Sequence, residues 1–342
     1  MTTPSICTRS IAAAVAISLA GYFAPVVSAQ TTATTVPVGF ITKTIPAAAD
    51  ALTPSNLTLS IPLYSTADFQ SSVASVDSAN SLTLTSAAWT AGQFATAAAP
   101  RLVRVKTGAS TGRFFLVSAN TTNQVTVVLP PSVATLAGAV SVGDSCEIVP
   151  ANTLATVFGA TATGFVTGAS AGIADNILIW NGVTWDIFYN NGTNWRKSGN
   201  LGNQNNVVVF PDDGLFLSHK GLSSTAITLL GTVPSTSEVS DLDGSAGATF
   251  LGNRFPVDTT LLSLGLHTTS NWTSGASAGV SDNVLLWNGF TWDVYYYNGA
   301  NWRKSGNLVN QNATTVPVAT AVYVTRKNAL ASTLPQVLPY SL

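Results

Sequence analysis

Charged side chains are scarce in this chain of 342 residues: Asp, Glu, Lys and Arg make up 8% of it, where a typical soluble domain carries roughly 25%. That shortage excludes a solvated charged coil, an acidic or basic tail and a helical bundle laced by surface ion pairs. Fourteen Lys and Arg against fifteen Asp and Glu leave a formal net charge of −1. No phosphate-neutralising surface follows, so nucleic acid is not an expected partner. Glutamate is almost missing, with only Glu147 and Glu238, and the only histidines are His219 and His267. Enzymes that need several acid and base groups are disfavoured by that supply. Sulfur is equally thin: the one Met is the first residue, and the two Cys are Cys7 and Cys146. G-x-S-x-G, H-E-x-x-H and P-loop motifs are absent, so no catalytic residue is nominated.

Residues 1–29 carry the features of an export signal. Arg9 supplies a short basic start, Ile11 to Ala24 is an uncharged apolar run, and Val27, Ser28 and Ala29 provide the small residues of a cleavage point. The apolar run is shorter than the roughly 20 residues needed to span a bilayer. No later run reaches that length uninterrupted, so no transmembrane segment is expected after cleavage. Cleavage would remove Arg9 and Cys7, leaving a charge of −2 and a single thiol. Cys146 then has no disulfide partner within the chain and reads as buried filler.

Glycine (27) and proline (16) punctuate short apolar or alternating runs: Gly39 to Ile45, Leu57 to Leu63, Leu82 to Thr85, Leu102 to Lys106, Arg113 to Val117, Val125 to Leu129 and Ser145 to Val149. Such runs predict an all-β sandwich or barrel of short antiparallel strands. The Ala-rich stretch from Ala87 to Ala99 leaves room for a turn or two of helix, limited by Gly92 and Pro100. The expected divisions are 1–29 (signal), 30–150 (a β domain), 151–258 (a first β-meander with its connection) and 259–342 (a second meander and tail).

The division rests on an internal repeat. Gly168 to Asn200 and Gly275 to Asn307 are identical at 24 of 33 positions at a constant offset of 107, and a weaker match runs from Thr153 to Lys220 against Thr260 to Lys327. Asn181-Gly182 between apolar runs is a strong hairpin sign. If those two residues are the whole loop, Leu178 faces Trp185 and Trp180 faces Val183. Alternation then gathers Leu178, Trp180, Val183, Trp185, Ile187 and Tyr189 on one face as a core, matched in the second copy by Leu285, Trp287, Phe290, Trp292, Val294 and Tyr296. Asn191-Gly192 turns the chain again, opposing Phe188 to Trp195, Ile187 to Arg196 and Asp186 to Lys197. The remaining face mixes Ile179, Thr184, Asp186, Phe188, Trp195 and Lys197.

Because they share that mixed face with charges, Trp195 and Trp302 are the tryptophans expected to stand exposed. With Arg196 and Arg303 they form the candidate ligand-binding set, and stacking on sugar rings is the chemistry they suggest. Asp186 with Lys197, and Asp293 with Lys304, read as cross-strand ion pairs. Asp175 and Asp282 read as residues that bond their own turn backbone. No cofactor is expected. Calcium is the competing reading of the loop oxygens, including those of Asp212-Asp213-Gly214 and Asp241-Leu-Asp243-Gly244, although neither run has EF-hand spacing.

Pro37-Val38-Gly39-Phe40, Gly143-Asp144 leading into Ile148-Val149-Pro150 and Thr153-Leu154, Trp180 with Trp185 and Asp186, and Leu251-Gly252-Asn253 with Pro256 follow one another along the chain. In that order of segments the chain resembles a family of uncharacterised secreted bacterial proteins. Asn152 stands where that family usually carries Trp. The resemblance implies export and a shared architecture and brings no assigned activity. The expected function is a non-enzymatic structural or adhesive protein, secreted, periplasmic or at the outer surface of a bacterium, meeting other surface components. A carbohydrate-binding module and a hydrolase of surface polysaccharide are the alternatives.

Overall fold

The computed structural model describes residues 36–50, 52–242 and 247–342. The expected export signal, Cys7, Asp243 and Gly244 lie outside the described residues. The chain is all-β, with a closed barrel followed by two similar five-stranded antiparallel sheets.

The barrel has six strands in the order Phe69–Val76, Ser81–Leu84, Gln124–Val128, Phe114–Asn120, Arg101–Val105 and Ser145–Pro150. Pairing of Phe69 with Ile148 closes it, which leaves no free sheet edge. Val103, Val105, Phe115, Val117, Val125, Val127 and Ile148 fill the interior, and Leu136 and Val140 plug it. Cys146 belongs to this core, and burial pushes its thiol up to about 12. The strand Phe69–Val76 carries too many serines to show an apolar pattern and escapes sequence reading. Residues 87–99 form turns and no helix, because Gly92 takes a left-handed φ of +79° and Pro100 blocks continuation. The α-helix lies instead at Leu154–Phe158, capped by the Thr153 side chain.

The duplicated part is larger than the sequence repeat. In the first copy the sheet order is Trp195–Lys197, Trp185–Asn190, Asn176–Trp180, Leu215–His219 and Ser55–Leu59. In the second it is Trp302–Lys304, Trp292–Tyr297, Asn283–Trp287, Ala321–Thr325 and Ala248–Gly252, strand for strand. Each copy adds a two-stranded ribbon, Val38–Ile45 with Thr225–Thr232 and Glu238–Leu242 with Ser332–Gln336. Residues 38–59 therefore pair with strands at 215–232. The barrel occupies the connection that residues 253–258 make in the second copy.

Both repeated turns differ from expectation by one residue. The Asn181 side-chain oxygen accepts the N–H groups of Val183 and Thr184, and the Asn181 backbone N–H donates to the Thr184 carbonyl. Gly182, at φ +91°, and Val183 thus form the bend, and Trp180 pairs with Trp185 and Leu178 with Ile187. Asn191 does the same for Thr193 and Asn194, so Asn190 pairs with Trp195, Tyr189 with Arg196 and Phe188 with Lys197. Each register moves by two residues, an even shift that leaves every strand side chain on its expected face. Val183 and Phe290 leave the sheet and stand in solvent at the tips, 69% and 92% exposed.

Which face is deepest is the larger correction. The mixed face is the most buried one: Ile177, Ile179, Phe188 and Trp195 pack against Ile45, Leu154, Phe158, Ile227 and Leu229 from the ribbon and the short helix. Val284, Tyr295 and Trp302 do so against Leu242, Leu261 and Leu334 in the second copy. On the other face Tyr189 and Tyr296 are buried, while Leu178, Ile187, Leu285 and Val294 are half-buried. Trp180, Trp185, Trp287 and Trp292, also half-buried, meet the sister copy.

Candidate functional site

The expected exposed pair is inside the protein. Trp195 and Trp302 are 1% and 0% exposed, because Trp195 lies under the helix and donates its Nε1–H to the Gly159 carbonyl at 2.8 Å. Trp302 is enclosed edge to face by His267, Trp272 and Tyr297. They offer no platform for a ligand, and Arg196 and Arg303 beside them are half-buried. Charge on the same face does not force exposure here, since Lys197 and Lys304 run outward to Asp186 and Asp293 at 2.6 and 2.7 Å.

Four of the tryptophans assigned to the repeat core join the two copies. Trp180 packs on Tyr323 at 5.5 Å and Trp287 on Phe216 at 5.4 Å, edge to face in both cases. Trp185 meets Phe250 at 5.0 Å and Trp292 meets Phe216 at 5.9 Å. Trp180 Nε1–H donates to the Ala248 carbonyl (3.1 Å) and Trp287 Nε1–H to the Asn56 carbonyl (2.8 Å). Asn56 pairs with Ser218 and Ala248 with Thr325, the same position in each sheet. The two bonds are therefore one bond made twice, across a pseudo-twofold axis. A Cβ on Gly214 would lie 2.6 Å from that of Ala321, which explains the glycine there.

Asp175 and Asp282 do more than hold their own turns. Asp175 is buried and accepts from the backbone of Val166 and Lys220 and from His219 Nδ1 at 2.7 Å. Asp282 accepts from the backbone of Thr273 and Lys327. Each pins its turn to the end of a strand about 45 residues away in sequence, as the separation of 45 in both copies records. Among the described residues no group of three or more His, Cys, Asp or Glu side chains is placed to hold a metal ion.

Where the barrel meets the second copy, both glutamates of the chain are used. Glu238, fully buried, receives Arg104 at 2.7 Å and Arg254, while Glu147 receives Lys106 at 3.2 Å and Arg104 at 3.6 Å. The Arg104 guanidinium also lies 4.9 Å from the Tyr64 ring centroid. Burial pushes the Tyr64 phenol well above its usual range.

Beside this junction lies a cleft of about 450 Å³, built from all three parts. The barrel gives Phe114 and residues 128–131, the first copy Ile179, Trp180, Phe210, Asp212 and Asp213, and the second Asp241 and Phe250. Asp241 pairs with Arg113 at 3.1 Å and receives the Ser132 hydroxyl. Desolvation, aided by Asp212, pushes the Asp213 carboxyl up to about 8, and desolvation pushes Asp241 up to about 6. In the sequence these aspartates figure only as loop oxygens. Nothing local marks the cleft, because its walls come from positions over 130 residues apart, such as Phe114 and Phe250.

No family model matches the chain, and neither a curated protein nor a solved structure matches it. No helix among the described residues is long and apolar enough to cross a membrane.

Proposed function

We propose that the mature chain is a secreted or cell-surface protein of a bacterium, structural or adhesive in role and without catalysis. The observation that supports this reading most is the use made of the repeated aromatics: they lock one copy to the other and leave polar Asn-, Thr- and Gly-rich turns at the surface, tipped by exposed Val183 and Phe290. Duplication gives two similar tips on one frame, so contacts too weak to hold singly act together. The export features of residues 1–29 and the resemblance to secreted bacterial proteins support the location. The glycan-binding reading loses its carriers at Trp195 and Trp302.

The test is fractionation of the native cells together with adsorption of the purified mature chain to cell-envelope material. The reading expects the chain in the medium, periplasm or outer envelope, and adsorption that falls when Val183 and Phe290 are both changed to Ser. A chain retained in the cytoplasm overturns the location, and adsorption unaffected by the tip changes overturns the adhesive role assigned to the tips.

A further inference from the structure

We propose that the cleft between the barrel and the two copies is a binding site for an organic cation, a primary ammonium or guanidinium carried on an apolar or aromatic body. Its volume of about 450 Å³ is within the range of small-ligand sites, roughly 300–1,000 Å³. Its walls are mostly apolar, with Trp180 and Phe210 half-buried and so open to contact, and with Phe114 and Phe250 buried. An apolar body fits such walls, and aromatic faces attract a cation.

The polar groups select the charge. Among the described residues no Lys, Arg or His lines the cleft, whereas Asp212, Asp213 and Asp241 do. Asp241 already has Arg113. One oxygen of Asp212 accepts the Asp241 N–H (3.0 Å) and one of Asp213 accepts the Phe210 N–H (2.8 Å). Among the described residues neither Asp212 nor Asp213 has an ion-pair partner within 4.0 Å, while Glu238 beyond the wall has two arginines. A cation from outside takes the place of the proton that Asp213 otherwise keeps up to about pH 8, which leaves to solvent, and forms charge-assisted hydrogen bonds to the carboxylate in a poorly solvated place. An anion would meet carboxylates. A neutral sugar would find acceptors and few donors.

Titration calorimetry on the whole mature chain at about pH 8.5, where the Asp213 proton is readily released and an alkylammonium with a lysine-like value is still mostly charged, tests the site with benzylamine and its neutral counterpart benzyl alcohol as probes and methyl glucoside as the sugar. Saturable benzylamine binding is expected, with benzyl alcohol weaker by about tenfold or more, the loss of a charged hydrogen bond. Asp213→Asn should weaken benzylamine by a similar factor and leave benzyl alcohol unchanged. Val128→Trp, at an exposed position on the rim, should weaken both by filling the entrance; it keeps the test sound if Asp213→Asn does not fold. Equal affinity for amine and alcohol, preference for the glucoside, binding indifferent to Val128→Trp, or no binding of benzylamine at millimolar concentration each overturns the proposal.

Discussion

The surface where the two copies meet buries Trp180, Trp185, Phe216, Phe250, Trp287, Trp292 and Tyr323, whereas the junction between barrel and second copy gathers Arg104, Glu147, Glu238 and Arg254. Aromatic rings leave water with a gain, and two N–H groups satisfied by carbonyls complete that seam. Charged groups leave water at a cost of several kcal/mol each, which only their mutual pairing offsets. The first seam thus adds stability by burial, while the second is tolerable only as long as its charges stay paired.

The sharpest break of this contrast is Glu238→Ala. It leaves the Arg104 and Arg254 guanidinium groups buried without their shared carboxylate, and a loss of about 3–5 kcal/mol is expected in equilibrium urea melts. A loss below about 1 kcal/mol would show that the junction is wet and that its charges do not depend on one another. Next come Trp185→Ala and Trp292→Ala, each expected to cost about 2–4 kcal/mol through lost transfer and a cavity, since both rings are half-buried. The milder Trp180→Phe and Trp287→Phe should each cost about 1 kcal/mol, the value of one hydrogen bond. Equality of that pair is the measure of the pseudo-twofold; a Trp180 effect without a Trp287 effect would mean that the second bond contributes nothing.

The cleft gives the comparison a pH dependence. An unfolded aspartate titrates near 3.9, while Asp213 in the folded chain titrates at about 8. Between those values the native protein keeps a proton that the unfolded chain releases. Its contribution is therefore fully present below pH 4 and falls as pH rises toward 8, by up to about 1.4 kcal/mol per pH unit, and is flat above. Asp241, up to about 6, acts in the same direction over the lower part of that range. Melts of wild type and Asp213→Asn between pH 4.5 and 8 should converge in slope only if another group replaces Asp213; otherwise the variant's profile is the flatter.

The legible part of this fold is what the sequence writes twice. Identity at offset 107 marks the paired copies, and the Asn-Gly turns and alternation give both hairpins with the strand residues on the correct faces, Val183 and Phe290 at the tips excepted, so Trp180, Trp185, Trp287 and Trp292 are identified as packing residues. The depth of each face is not local information. Trp195 is buried by the short helix and by ribbon residues such as Leu229, none of which its own neighbours foretell. The strands at Val38–Ile45 and Ser55–Leu59 are legible as runs, but their pairing with residues 215–232 is not, because the barrel separates them from their partners in sequence. Asp212, Asp213, Glu238 and Arg254 are single occurrences with no counterpart at the repeat offset and gain meaning only when three parts of the chain converge.

Asp186→Asn supplies the smallest effect and guards the face assignment. The Asp186 carboxylate meets Lys197 Nζ at 2.6 Å and Asn181 Nδ2 at 2.9 Å, with side chains 22% and 36% exposed for Asp186 and Lys197. Water screens such a pair, the lysine has freedom to lose on forming it, and the amide oxygen of Asn keeps an acceptor for Asn181. A cost below about 1 kcal/mol is expected, diminishing further as salt is raised. Placed beside Trp185→Ala, its neighbour in sequence and on the opposite face, the variant tests one register at two adjacent residues. If Asp186→Asn collapsed the protein while Trp185→Ala left the urea midpoint unmoved, the seam would lie on the other side of the sheet, and Asp186 would be the buried group.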